Sequence, residues 1–308
     1  MRRGLGASLV ALSFVLSAGT ALAKDGPLDE GEGFNGFATY SSHSITREAA
    51  SDEAPAELPE DAGDIMSDAM TFAMHDASFT IYHEVAHLLI GELDLPVLGK
   101  EEDAADALGT IWLLEFDEAE DSYDALVSAA DGWYFNALKA DTSTFEELAY
   151  SADHTLDLHR AYAMVCYMVG KDQSVFGDTA DDYDIDSDRQ ESCESTYSDA
   201  FRSWMRLLEP HITESDAVSD YEVIYEDAGD YQDIADELKS RAIIDIAAAS
   251  IATTFTLPRK VTFRVTQCGE ANAYYYPAEG EVVYCYELAD AMRTLYVYDI
   301  MGWGDTAN

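Results

Sequence analysis

Basic residues are scarce in this chain. Its 308 residues carry 17 lysines and arginines against 61 aspartates and glutamates, a formal charge of -44 at pH 7. That balance excludes nucleic acid as a partner, because a phosphate polymer is held by basic patches. It suits a surface that stays solvated and repels other anions, in a saline medium that screens self-repulsion. Long apolar runs are missing too: after the first 23 residues no segment reaches the roughly 20 uncharged residues a membrane span needs. There are only four cysteines, none in Cys-x-x-Cys spacing, which argues against a thiolate metal site. Aspartates crowd the stretch from Asp178 to Glu194, yet neither Asp182 nor Asp184 begins a calcium loop with glycine sixth and glutamate twelfth. This stretch reads as a solvated acidic loop. Neither an internal repeat nor a convincing linker divides the chain, so one catalytic or binding domain is expected.

The chain does hold a basic start, Met1-Arg2-Arg3, followed by the apolar stretch Leu9 to Leu16 and the small-residue site Ala21-Leu22-Ala23. Residues 1–23 therefore read as a signal peptide, and the protein as exported, periplasmic or extracellular. Outside the cytoplasm the four cysteines are expected to form disulfides. The sequence-local connectivity is Cys166 with Cys193 and Cys268 with Cys285; the second pair brackets a hairpin pattern whose turn runs from Pro277 to Gly280. Residues 24–64, rich in Gly, Ser, Glu, Asp and Pro, read as an acidic, poorly ordered arm. Residues 65–308 read as the folded domain. Apolar residues recur at helical spacing over 65–92, 101–116, 121–139, 143–150, 154–170, 191–209 and 231–253. Strand alternation is clearest near 260–267, 273–276 and 281–286. The fold class expected is α+β, mainly helical with a small sheet or hairpin.

Residues 83 to 87 read His83-Glu84-Val85-Ala86-His87. Two histidines four apart on a helix project from one face, close enough to take two corners of a tetrahedral Zn²⁺ site. Glu84 beside them is the type of group that accepts a proton from an activated water. Burying such groups in so apolar a helix is costly unless something pairs with them. Gly91 and Pro96 end this helix, and a second opens with Glu101-Glu102-Asp103-Ala104-Ala105-Asp106. Glu101 and Asp103 suit the first turn of a helix as negative charge facing its dipole. Ala104 and Ala105 are small enough to let it lie close to the first helix. Glu102 and Asp106, four apart, would share the face turned toward the histidines. Glu102 is therefore the expected third metal ligand, and Asp106 the acceptor that orients a ligand histidine.

A His-Glu-x-x-His helix followed by Glu-x-x-Ala-Asp resembles zincin peptidases of the Glu-ligand class. Together with Asp153-His154-Thr155-Leu156-Asp157-Leu158-His159-Arg160, Cys166, Arg189, Cys193, Trp204, Cys268-Gly269-Glu270-Ala271-Asn272-Ala273 and Cys285-Tyr286-Glu287-Leu288, these segments look like a bacterial family of metallopeptidases catalogued as a domain of unknown function. The resemblance implies a zincin-like catalytic domain, bound zinc and a peptide or protein substrate, with Glu84 as general base. His154 is the first choice for stabilising the oxyanion, ahead of His159, Tyr162 and Arg160; Arg160 suits a structural ion pair better. Tyr274 to Tyr276 read as packed aromatics or as an edge strand that aligns a peptide. His43, His75 and His211 have no partner pattern and read as surface or core residues. Two readings of function follow: an exported zinc metallopeptidase, or a zinc-stabilised envelope protein that binds without turnover.

Overall fold

The computed structural model describes residues 62–117, 119, 121–139, 156–213 and 216–302, all within one contact unit spanning Ala49–Asn308. The expected signal peptide, most of the expected acidic arm and the helix expected at 143–150 lie outside the described residues. Nine α-helices are present among those described: α1 Ala62–Glu92, α2 Glu101–Glu115, α3 Ser122–Lys139, α4 Asp157–Lys171, α5 Gln173–Asp182, α6 Ser187–Leu208, α7 Gln232–Ser240, α8 Ile243–Thr254 and α9 Tyr286–Leu295. Four strands join them: β1 Tyr221–Tyr225, β2 Val261–Thr266, β3 Ala273–Tyr276 and β4 Glu281–Cys285. The fold is mainly helical α+β with one small mixed sheet, as the sequence pattern predicts.

The organising element is α1. From Phe72 to Ile90 nearly every side chain is buried, so it is apolar around its whole circumference and must be covered on all sides. The covers are α2, α3, α8, α9 and the hairpin of β3 and β4. Contact with α2 is close because Gly109 and the buried Ala105 present almost no side chain. A Cβ at Gly109 would stand 3.2 Å from the backbone nitrogen of His83. The same device holds α4 to α6, where a Cβ at Gly170 would collide with the carbonyl of Cys193 and the Cys166–Cys193 disulfide closes the contact.

The sheet runs in the order β1-β2-β4-β3, parallel from β1 to β2 and from β2 to β4, antiparallel between β4 and β3. Val261, Phe263 and Val265 of β2 alternate into the core, as a half-buried strand requires. The turn between β3 and β4 is closed by the Gly280 N–H donating to the Tyr276 carbonyl at 2.9 Å, with Gly280 at φ +66. Cys268 pairs with Cys285, as the sequence order suggests.

The hairpin is fastened to α1. Glu92, in the last turn, accepts from the Tyr275 hydroxyl at 2.8 Å and from Arg259. Gly91 is not a helix breaker, since α1 runs through it to Glu92. It makes room for Tyr275, whose ring would stand 3.0 Å from a Cβ there.

Three further readings need correction. The acidic stretch from Asp178 to Glu194 is not a loop but the end of α5, a tight turn and the start of α6. Its carboxylates are used locally: Asp186 caps α6 by accepting from the Arg189 N–H at 2.8 Å, and Asp181 accepts from Gln190 at 2.7 Å. The single helix expected over 231–253 is two, because Ala242 adopts a left-handed conformation at φ +54 between α7 and α8. Strand β1 lies where no strand is expected from the sequence.

Candidate metal centre and cleft

His83 and His87 stand one turn apart near the C-terminal end of α1, and Glu102 reaches them from the first turn of α2. The two imidazole Nε2 atoms face each other at 3.2 Å. A Glu102 oxygen lies 3.3 Å from His83 Nε2, and the other lies 3.5 Å from His87 Nε2. These three side chains are the group among the described residues that could hold a metal ion, all donor atoms within 4.8 Å of one another.

Each imidazole is held from behind by a carboxylate on α2. His83 Nδ1 lies 2.9 Å from Asp106 Oδ1, and His87 Nδ1 lies 2.8 Å from Glu101 Oε1. A carboxylate on one ring nitrogen fixes the tautomer that leaves the other nitrogen's lone pair facing inward. The position of Asp106 follows from its helical spacing. Glu101 at His87 is what the sequence reading misses, because a glutamate in a first helical turn already has a sufficient explanation.

Asp106 is itself locked. The Arg160 guanidinium donates to both of its oxygens, Nε at 2.7 Å and Nη2 at 2.6 Å, and lies over the Trp133 ring at 3.6 Å. This bidentate pair is buried on both sides. Arg160 is thus an ion-pair partner, and the chain of contacts runs Trp133, Arg160, Asp106, His83.

The electrostatics of the cluster favour a cation at its centre. Burial acts to lower His83, but contacts with Asp106 and Glu102 outweigh it and raise the imidazole to about 9. His87 is raised in the same way, against burial, chiefly by Glu102. Burial likewise opposes ionisation of Glu102, yet the two histidines hold it well below the usual carboxylate range. All three shifts express one field, set up by three carboxylates around two imidazoles.

Glu84 is buried, and loss of hydration raises its pKa above the usual range. It lines a cleft of about 880 Å³ together with His83, His87 and Glu102, a size that suits a sizeable organic ligand. The wall opposite α1 includes Asn272 and the β3 residues Tyr274 and Tyr275. The hairpin read from the sequence as packed aromatics or as an edge strand thus borders the cleft, and β3 is the outer strand of the sheet.

Of the other sequence candidates, His154 and His43 lie outside the described residues. His159 is exposed, and Tyr162 packs edge-on against Tyr183, away from the cleft lining. His75 is buried and satisfied, with Nδ1 3.1 Å from the Ser128 hydroxyl and Nε2 3.3 Å from Asp121. Its two nitrogens point to different partners rather than toward a common point. Asp76, also buried and also lining the cleft, escapes the sequence reading entirely.

No match was found among curated proteins or among solved structures. One family model covers most of the sequence, residues 40–208 and 225–300, and on that match the chain belongs to the family described as "Putative metallopeptidase".

Proposed function

We propose that this protein is an exported, zinc-dependent metallopeptidase in which His83, His87 and Glu102 hold the metal and Glu84 is the general base. The observation that carries the reading is the convergence of those three donors on one point in the wall of an open cleft, with Glu84 beside them. A tetrahedral zinc ion with bonds of about 2.0–2.1 Å would set its donors about 3.3–3.4 Å apart. Here the two Nε2 atoms are 3.2 Å apart, one Glu102 oxygen lies 3.3 Å from His83 Nε2 and the other 3.5 Å from His87 Nε2, so the three side chains come together at the spacing such an ion needs, with one donor from each within 4.8 Å of the others. Two imidazoles and one carboxylate leave a coordination position for substrate or water, as in catalytic rather than structural zinc sites.

When bound, the ion supplies Lewis acidity, which acidifies water and polarises a substrate carbonyl. Glu84 takes the proton released as water attacks and returns it to the leaving nitrogen. Its burial keeps its pKa raised, which makes it a better base and a competent acid in turn. Asp106 and Glu101 hold the imidazoles in register, and Arg160 keeps Asp106 ionised. Among the described residues β3 is an outer strand, and its free edge offers backbone groups along which an extended peptide can be aligned. On the family resemblance, His154 is proposed to donate to the developing oxyanion. Two disulfides among the described residues suit an oxidising compartment, which favours export. A cleft would also serve a protein that binds without turnover, but such a protein has no use for the buried base Glu84 beside the metal donors.

Glu84→Gln should still bind one equivalent of zinc by elemental analysis and lose about 10²–10⁴ in peptide hydrolysis, the usual worth of a general base. Unaltered turnover in that variant would remove Glu84 from the mechanism. Glu102→Ala should purify without metal; full occupancy there would move the third ligand to another carboxylate.

A further inference from the structure

Beyond the metal donors, the cleft extends along α1 toward its N-terminal side. Asp76, Thr80 and Glu84 are spaced four apart, so they form one line down the helix. At 1.5 Å per residue, Asp76 lies about 12 Å before Glu84 along the axis. Asp76 is only 5% exposed. Among the described residues its hydrogen bond is a long one, from the Thr80 hydroxyl at 3.4 Å, and no basic group reaches ion-pair distance. The cation that lines the same cleft, Arg160, is committed to Asp106.

Apolar side chains line the cleft as well, Phe79, Trp133, Leu288 and Met292 among them, and Met292 meets Gly132 beside Asp76 at this end. Gly132 keeps it open, since a Cβ there would stand 3.4 Å from Asp76 Oδ1 and 3.6 Å from the Met292 sulfur. An apolar collar with a carboxylate behind it matches a long aliphatic stem that ends in a charge. An extended lysine side chain and one hydrogen bond cover about 9 Å from the Cα, which places such a residue next to the bond facing Glu84.

We propose that this end of the cleft is a specificity pocket for a lysine or arginine side chain adjoining the scissile bond, with Asp76 as its charge partner. The proposal rests on the peptidase reading above and names its substrate class. Burial, only partly offset by Thr80 and by the field of Arg160, pushes Asp76 up to about 7. A buried carboxyl without a cation is a standing cost to the fold, and such costs gather where a ligand will offset them. The remaining carboxylates of the lining, Glu84, Glu101, Glu102 and Asp157, add to the same sign of potential.

The test uses the zinc-loaded protein and twin peptide sets that differ only by lysine or norleucine, which removes the ammonium and keeps the stem. The ratio of kcat/KM for lysine over norleucine should exceed about tenfold, as a charge-assisted bond to a buried carboxylate implies. In Asp76→Asn it should fall to near one. A ratio that survives Asp76→Asn, or a wild-type preference for norleucine, overturns the pocket. If no peptide is cleaved by metal-loaded wild type, the peptidase reading fails instead. The pocket is then decided by calorimetry on Glu84→Gln with acetyl-Ala-Lys-Ala-amide and its norleucine twin. Tenfold tighter binding of the lysine peptide, lost when Asp76→Asn is added, supports the pocket; equal affinities overturn it.

Discussion

Asp76 and Asp106 are buried to the same extent, 5% and 4% exposed, and both belong to the surroundings of one cleft. Burial pushes both carboxyls up. Asp106 nevertheless ends at about 2, because contacts with His83 and with Arg160 outweigh the loss of water. For Asp76 the Thr80 hydroxyl and the field of Arg160, whose hydrogen bonds go to Asp106, offset burial only in part, and it ends at about 7. Depth therefore does not set the charge of a buried carboxyl; its partners do. The consequence is a division of labour. The charge of Asp106 is spent inside the protein on holding His83, whereas the charge of Asp76 is left for something that enters.

The sharpest way to break this comparison is to take the cation from Asp106. Arg160→Met keeps much of the side-chain volume and leaves a buried carboxylate facing His83 alone. Removing one partner of a buried pair costs about 3–5 kcal/mol, or roughly 6–20 °C in the melting temperature of a domain of this size. Metal affinity should fall about 10–100-fold, as it does when the support behind a ligand histidine is lost. Thermal melts with chelator present, and zinc competition titrations, measure the two effects separately. A melting temperature within a degree of wild type would mean that the pair contributes nothing.

Asp76→Asn should act in the opposite direction. The folded pKa of Asp76 is raised from 3.8 to about 7, so the native state holds its proton longer than the unfolded chain does. The cost is absent below pH 4, grows between pH 4 and 7, and is complete above that window. At about 1.4 kcal/mol per pH unit, the ceiling is about 4 kcal/mol at pH 8. The variant should therefore melt higher than wild type at pH 8 and nearly level with it at pH 4.5. Asp106, with its pKa depressed from 3.8, has the reverse dependence: its contribution is present above pH 4 and is lost as pH falls through about 2. A pH-independent gain from Asp76→Asn would show that packing, not ionisation, is what changed.

The same contrast explains what is legible in the sequence. The grouping of His83, His87, Glu102 and Asp106 is readable because each relation is local: four residues apart on a helix, twice, with a short link between. Both disulfides are readable because each joins neighbours in sequence. Asp76 is not readable, since its environment is made by Gly132 and Met292 from distant helices and by an Arg160 whose hydrogen bonds go to Asp106 instead, which no spacing reveals. The break between α7 and α8 is hidden for another reason. Ala242 takes φ +54 with no glycine or proline to announce it, so the apolar pattern runs on unbroken. In the stretch from Asp178 to Glu194 composition gives the charge but not the conformation, because Asp186 and Gln190 turn polar residues into helix caps and ties.

The smallest effect should come from Glu101, the counterpart of Asp106 at the other imidazole. Its contact with His87 is as short, 2.8 Å against 2.9 Å, but its side chain is 52% exposed where that of Asp106 is 6% exposed. Solvent already competes for the Glu101 carboxylate, and a water of similar geometry can take its place at His87. Exposed ion pairs contribute little, and salt screens what remains. Glu101→Gln should therefore lower zinc affinity by only a few-fold, and by less at high salt, with no measurable change in melting temperature. Asp106→Asn, behind the other ring, should show the larger and salt-insensitive loss. If the two variants lose equal affinity across the same salt series, burial is not what separates the two supports, and the division of labour drawn from Asp76 and Asp106 fails with it.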